Sequence, residues 1–199
     1  MPWEPETYHL KPNTHAPNSD LPVLVYRQCL PLPPTEEKVE AFFTAHAWER
    51  RGVWGHIWQR HFHPNSHGML PTSLSRSKSV LIALVVECYG VLNGESRLLV
   101  GCGHNDTTDG GAKIEVMAGD VIVLPAGTGH CNLESTKDYR YMGVYPEKCP
   151  QWRNELGKLE IDHEALRQEI NGVDMPLQDP VNGAEGPLMK LWTKPAMTA

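Results

Sequence analysis

The spacing of apolar positions changes character along this chain and predicts its elements in turn. Residues 1–20, rich in Pro, Asn and His, predict an extended arm, and LPVLVYR at 21–27 predicts a strand closed by the Pro cluster at 30–34. From Thr35 to Arg50 the apolar residues Val39, Phe42, Phe43, Ala47 and Trp48 fall at helical spacing, with Thr35 as N-cap and Gly52 as stop. From Gly52 to Tyr145 the pattern becomes short Val-, Ile-, Leu- and Tyr-rich runs separated by Gly, Asn, Asp and Pro turns. RLLVG at 97–101, KIEVM at 113–117, VIVLP at 121–125 and YRYMGVY at 139–145 are such runs, and HNDTTDGG at 104–111 reads as a polar hairpin loop. Strands at that spacing predict an all-β jelly-roll sandwich or barrel. A helix over 162–170 and an irregular tail at 179–192 follow. The predicted organisation is an arm, strand and helix over 1–51, a barrel over 52–150, and a helix and extended arm over 151–199.

Composition narrows the classes of function. At 199 residues the chain is long enough to bury a core without staples. A net charge of −6 and a pI near 5.9, with no basic run, leave no footprint for nucleic acid or an anionic membrane. The longest apolar run, Val80 to Val86, is far too short to span a bilayer. Five Cys without CxxC spacing indicate neither a disulfide framework nor a zinc knuckle. No secretory signal is visible in MPWEPETYHL, so a reducing, cytoplasmic setting is the expectation.

The chemistry concentrates in two stretches. HFHPNSH at 61–67 places His61 and His63 on one face of a strand, with Cα atoms about 6.6–6.8 Å apart, so that both imidazoles can reach one ion. In the second stretch, the strand after Gly119 runs into a tight turn at Pro125 and Gly127, and the next strand opens with His130. A barrel that sets His130 opposite the pair, with Glu87 beside them, would offer three imidazoles and one carboxylate to a divalent transition metal. Fe(II), Mn(II), Ni(II) and Zn(II) all suit such ligands.

With residues 68–86 left out, HFHPNSH joined to ECYGVLNG reproduces the first cupin motif: HxH, four residues, Glu, six residues, Gly. GDVIVLPAGTGH at 119–130 reproduces the second. The chain resembles small single-domain cupins of a bacterial and fungal group. The likeness extends through PNSDLPVLVYR at 17–27, VYPEKCPQW at 144–152 and DPVNGAEGPLMKLW at 179–192. The resemblance implies a double-stranded β-helix with His61, His63, Glu87 and His130 as metal ligands. It departs from the motif at Glu134, where an Asn is usual. It further implies an intracellular metal-dependent enzyme acting on a small molecule. Fungal relatives of this type suggest an oxidoreductase of polyketide, salicylaldehyde-type secondary metabolism. Isomerase, dehydratase or aromatase chemistry, and metal or ligand binding without turnover, are the alternatives. A small-molecule substrate is the expected partner, and a homodimer the expected assembly beyond one chain.

The interval GMLPTSLSRSKSVLIALVV at 68–86 restores the motif spacing when excised, and its nineteen residues keep the reading frame. Its ends can encode splice donor and acceptor sites, and VLIALVV consists largely of codons with T at the middle position. It therefore reads as a translated intron; the alternative is an inserted lid or edge strand. Strand parity points Gln59 and Ile57 into the barrel with His61, and Tyr89 with Glu87. Gln59 and Tyr89 are thus candidate substrate contacts or proton donors, and His67 a candidate residue beside the ligands. Cys88 and Cys131 have the opposite parity and are read as inert buried thiols. Trp48, Trp54 and Trp58, and the tyrosines at 139, 141 and 145, are read as packing residues.

Overall fold

The first sheet is built around β2 (Val23–Tyr26), β4 (Glu87–Asn93), β7 (Val121–Leu124) and β9 (Arg140–Pro146). These strands are apolar on both sides, and the reason is that both faces are covered. The computed structural model describes residues 2–64, 86–149, 153–172 and 174–192. Within these, β1 (Glu6–Tyr8) and β3 (Trp48–Trp54) complete an antiparallel sheet in the order β1-β2-β7-β4-β9-β3. A second antiparallel sheet has the order β6-β5-β8, from β5 (Glu95–Val100), β6 (Ala112–Met117) and β8 (His130–Ser135). The two sheets form the jelly roll of a cupin double-stranded β-helix.

Alternation along the strands sorts the core into two layers. Val23, Val25, Tyr89, Val91, Ile122 and Leu124 point between the sheets, where they meet Leu98, Val100, Ile114 and Val116. Leu24, Tyr26, Cys88, Leu92, Val121 and Val123 point outward, into a layer closed by α1 (Glu36–Thr44), Trp192 and Leu188. A Cβ on Gly90 would lie 2.7 Å from the Phe43 ring, so α1 sits on the sheet only because this position of β4 has no side chain.

Helix α1 is shorter than its apolar pattern predicts. Thr35 does cap it, its hydroxyl accepting from Lys38 N at 3.4 Å, but the helix ends at Thr44. Ala47 takes a left-handed conformation (φ 60°) and turns the chain into β3. There Trp48 is buried against the sheet instead of on a helix, and its indole donates to Gln178 O at 3.0 Å. Pairing with β9 outweighs the helical propensity of this segment. Gly52 is a bulge residue of β3, not a helix stop. Trp58, expected to pack, is 71% exposed. The predicted helix at 162–170 is α2 (His163–Asn171), capped by the Asp162 carboxylate.

The tail is irregular but tightly specified. Asp179 is fully buried, and its carboxylate accepts from Val181 N, Asn182 N, Leu188 N and the Tyr26 hydroxyl. One side chain thereby folds the loop, starts α3 (Pro187–Leu191) and ties both to β2. Among the described residues, no helix is long and apolar enough to cross a membrane.

Candidate metal centre

Three backbone contacts bring the histidines together. His61 and His130 exchange both main-chain hydrogen bonds, at 3.2 and 2.8 Å, as directly opposed residues of two antiparallel segments. On the other side Phe62 bridges Glu155. Gly127, at φ 77°, turns the chain so that its N–H donates to His63 O at 2.9 Å. The HxH segment is also clipped to β8 by Asn132. Its side chain accepts from Ile57 N at 2.8 Å and donates to Ser96 Oγ at 2.8 Å. This Asn stands two residues after His130; Glu134, at the motif's usual Asn position, lies at the surface near Arg97.

Each imidazole is fixed by its Nδ1. That atom lies 2.8 Å from Gln59 O in His61, 3.1 Å from Arg153 O in His63, and 3.0 Å from Thr128 O in His130. A carbonyl can only accept, so each Nδ1 carries the proton and each Nε2 presents a lone pair. One ligand atom from each of the three residues lies within 4.8 Å of the others, as a single ion requires. Ring centroids are 4.3 to 5.5 Å apart.

Glu87, 7% exposed at the start of β4, stands beside this cluster. Its Oε1 accepts from the Tyr145 hydroxyl at 2.6 Å. Its Oε2 is 3.2 Å from His63 Nε2 and 3.3 Å from His130 Nε2, and has no hydrogen-bond partner. A buried carboxylate oxygen without a donor is costly. Neighbouring ligands on an octahedral ion with bonds of about 2.1 Å stand about 3 Å apart, close to these separations. The residues therefore fit a metal that would take Oε2 and the Nε2 atoms together.

For His61 the electrostatics agree with the geometry, whereas His63 is drawn toward its charged form by Glu87. Burial, reinforced by His130, pushes His61 down to about 3, so it stays neutral as a ligand must. Burial opposes charge on His63 and Glu87 too, but their mutual contact prevails. His63 is raised, and Glu87 lies well below the usual carboxylate range with further help from His130. The cluster thus holds an anion in a buried place facing imidazoles.

Tyr89 places its hydroxyl 2.8 Å from His130 Nε2. Burial, then the Glu87 charge, raises this phenol well above its ordinary value, so it remains a proton carrier. It lines a narrow cavity of about 10 Å³, room for a single water-sized molecule, together with Ile57, Leu98, Leu124, Tyr139 and Tyr141, and this cavity opens onto His61 and His130. Cys131 reaches the wall of the same cavity while packing with Leu99 and Cys102; Cys88 packs outside the sheet. Gln59 contributes its backbone carbonyl to His61. His67 and residues 68–85 lie outside the described residues. Tyr145 and Arg153 contribute without a signal in the sequence. Tyr145 sits opposite Glu87 across the β4–β9 pair, where register, invisible before folding, decides who meets whom. Arg153 enters only through its carbonyl, which leaves no signal in the sequence.

A jelly roll with three inward-facing imidazoles at the junction of its sheets is a cupin with a divalent-metal type of site. The comparison with known proteins specifies it further. The chain is 30% identical over 195 residues to YjlB of Bacillus subtilis (strain 168), spanning 98% of this chain and all of that one, and it belongs to the YjlB family. No family model matches the chain. Solved structures of Bacillus subtilis oxalate decarboxylase variants align over 71% and 78% of this chain and 29% of theirs. Their TM-score is 0.31 at 16% identity, a likeness that carries no argument about this protein.

Proposed function

We propose that the chain is a metal-dependent cupin enzyme, an oxidoreductase acting on a small, flat, largely apolar organic molecule. His61, His63, Glu87 and His130 would hold one divalent transition ion, Fe(II), Mn(II), Ni(II) or Zn(II). The observation that carries this is the grouping of three fixed imidazoles, two of which lie 3.2 and 3.3 Å from the one oxygen of Glu87 that lacks a donor. When bound, such an ion supplies a Lewis acid and an open coordination position for redox chemistry. The chain's own residues do the rest. Ile57, Leu98, Leu124 and the rings of Tyr139 and Tyr141 provide an apolar wall that excludes water beside the ligands. Tyr89 stands where that substrate would meet the ligands, with a hydroxyl able to give or take a hydrogen bond. An aromatic polyketide of the salicylaldehyde type is the substrate setting proposed from the family resemblance alone.

The same Tyr89 favours a second reading. A buried phenol that keeps its proton beside the ligands can donate a hydrogen bond to an oxyanion developing in isomerisation, dehydration or aromatisation without net oxidation.

Metal analysis of the purified protein tests the site. About one equivalent is expected in the wild type, with a loss of tenfold or more in His63→Ala and His130→Ala. Substoichiometric metal in every preparation, including protein reconstituted with each of the four ions, would remove this reading. Oxygen uptake with phenolic aldehydes then separates oxidation from isomerisation.

A further inference from the structure

A second, smaller cavity lies on another side of the ligand cluster. It has a volume of about 10 Å³, room for one water-sized molecule, and among the described residues is lined by His63, Glu87, Pro125, Ala126, Thr128 and His130 together with Leu124. It shares His130 and Leu124 with the aromatic cavity. His61 and Tyr89 front only the aromatic cavity, and His63 and Glu87 only this one. Two residues of its wall carry buried side-chain oxygens without a hydrogen-bond partner: Glu87 Oε2, attributed above to the metal, and Thr128 Oγ1. Thr128 is 2% exposed. Its main chain is fully engaged in the turn, the N–H donating to Pro125 O at 3.2 Å and the carbonyl holding His130 Nδ1. Only the hydroxyl is left over. A buried hydroxyl without a partner is disfavoured, and with Glu87 Oε2 taken by the metal, Thr128 Oγ1 is the oxygen a polar guest would complete. Among the described residues the other walls, Leu124, Pro125 and Ala126, are apolar, and the volume admits only a small guest.

We propose that this cavity binds a small ligand with an oxygen or nitrogen donor atom, of the size of water or azide, and that Thr128 donates its hydroxyl hydrogen bond to it. The inference rests on the metal reading, since the ligand's other partner is an ion held by Glu87 and the histidines. It divides the site by polarity: a largely apolar wall on the side of Tyr89, a small polar ligand on the side of Thr128. Thr128 is then a positioning residue that sets which small ligands the centre accepts, a role separate from that of its carbonyl on His130.

Azide binding to the Co(II)-loaded protein, followed through the visible absorption of the ion, tests this directly. Thr128→Val keeps the shape and the carbonyl but removes the donor, and should raise the azide dissociation constant about tenfold at unchanged cobalt content. Thr128→Ser keeps the donor and should restore affinity to within about twofold of wild type. Cobalt retained with azide affinity unaltered in Thr128→Val overturns the inference alone. A wild type that takes up no metal overturns the inference and the metal reading together.

Discussion

Glu87 enters the cluster through one oxygen because Tyr145 occupies the other. A carboxylate that is free to rotate offers either oxygen, or both, to an ion; one pinned by a phenol offers a single donor in a fixed direction. Such partners behind a ligand typically change metal affinity by 10- to 100-fold. Tyr145→Phe is therefore expected to weaken metal binding by at least about tenfold while leaving β9 paired, and chelator competition measures it. Equal affinity in the variant would mean that the strand backbone alone orients Glu87. At this scale the sequence was informative wherever chemistry and spacing coincide: His61, His63 and His130 can be picked out from HxH and from the Pro–Gly turn, because imidazoles at those spacings have few other uses. Tyr145 was read as packing, because a tyrosine shows whether it packs or donates only once its cross-strand neighbour is known. Asn132 carries no motif signal, since the motif directs attention four residues past His130, where the bulge at Leu133 leaves Glu134 opposite Arg97.

At the scale of elements, strands were easier to read than the boundary between helix and strand. Runs such as VIVL and ECYGVLN announce themselves because β7 and β4 are buried on both faces and need apolar residues throughout. Trp48 fits the α1 stripe as well as it fits β3, and only the left-handed turn at Ala47, a tertiary choice, separates them. The interval at 68–86 poses the element-scale question with most consequence. His63 Nε2 and Glu87 Oε2 are only 3.2 Å apart, and four residues between them, as excision would leave, can span well over 10 Å. Glu87 is moreover held by its own pairing to β7 and β9, which does not depend on the length of the connection. Deleting 68–86 should therefore preserve the ligand set, and removing the apolar run Val80 to Val86 should raise the soluble yield. The expected result is more soluble protein with at least as much metal per chain, read by metal analysis of both forms. Val86 is buried in the outer core layer, and His67 would take its place in the chain next to Glu87. A deletion form that is less soluble or poorer in metal would show that the interval belongs to the folded protein, and sequencing the mature transcript decides independently whether it is translated.

The molecule as a whole buries an unusual set of weak acids on both sides of one sheet, and this gives its stability a definite pH dependence. Burial pushes Cys29 up to about 12 and Cys149 to about 11, holds Cys88 well above its ordinary value, and raises Cys102 and Cys131. The phenols of Tyr26, Tyr89, Tyr139, Tyr141 and Tyr145 are raised by burial as well, and those of Tyr26 and Tyr145 further by the carboxylates they bind. In the unfolded chain thiols lose their protons near pH 8.5 and phenols near 10. Above those values the unfolded state binds fewer protons than the folded one, so stability is fully present below about pH 8.5 and falls as pH rises. Each group that keeps its proton only in the folded state removes about 1.4 kcal/mol per pH unit. Cys29 and Cys88, buried in the layer beneath α1, together remove about 2.7 kcal/mol per unit from about pH 9, and the tyrosines steepen the fall from about pH 10. The melting temperature, measured under reducing conditions, is accordingly expected to stay level between pH 7 and 8 and to drop progressively from pH 9 to 10.5. Cys29→Ala/Cys88→Ala should flatten the first part of that drop even though it lowers the neutral-pH melting temperature by opening space in the core. A wild-type melting temperature that is constant to pH 10 would require the thiols to ionise as easily inside the protein as outside it, which burial against Leu24, Val123 and Val144 does not allow.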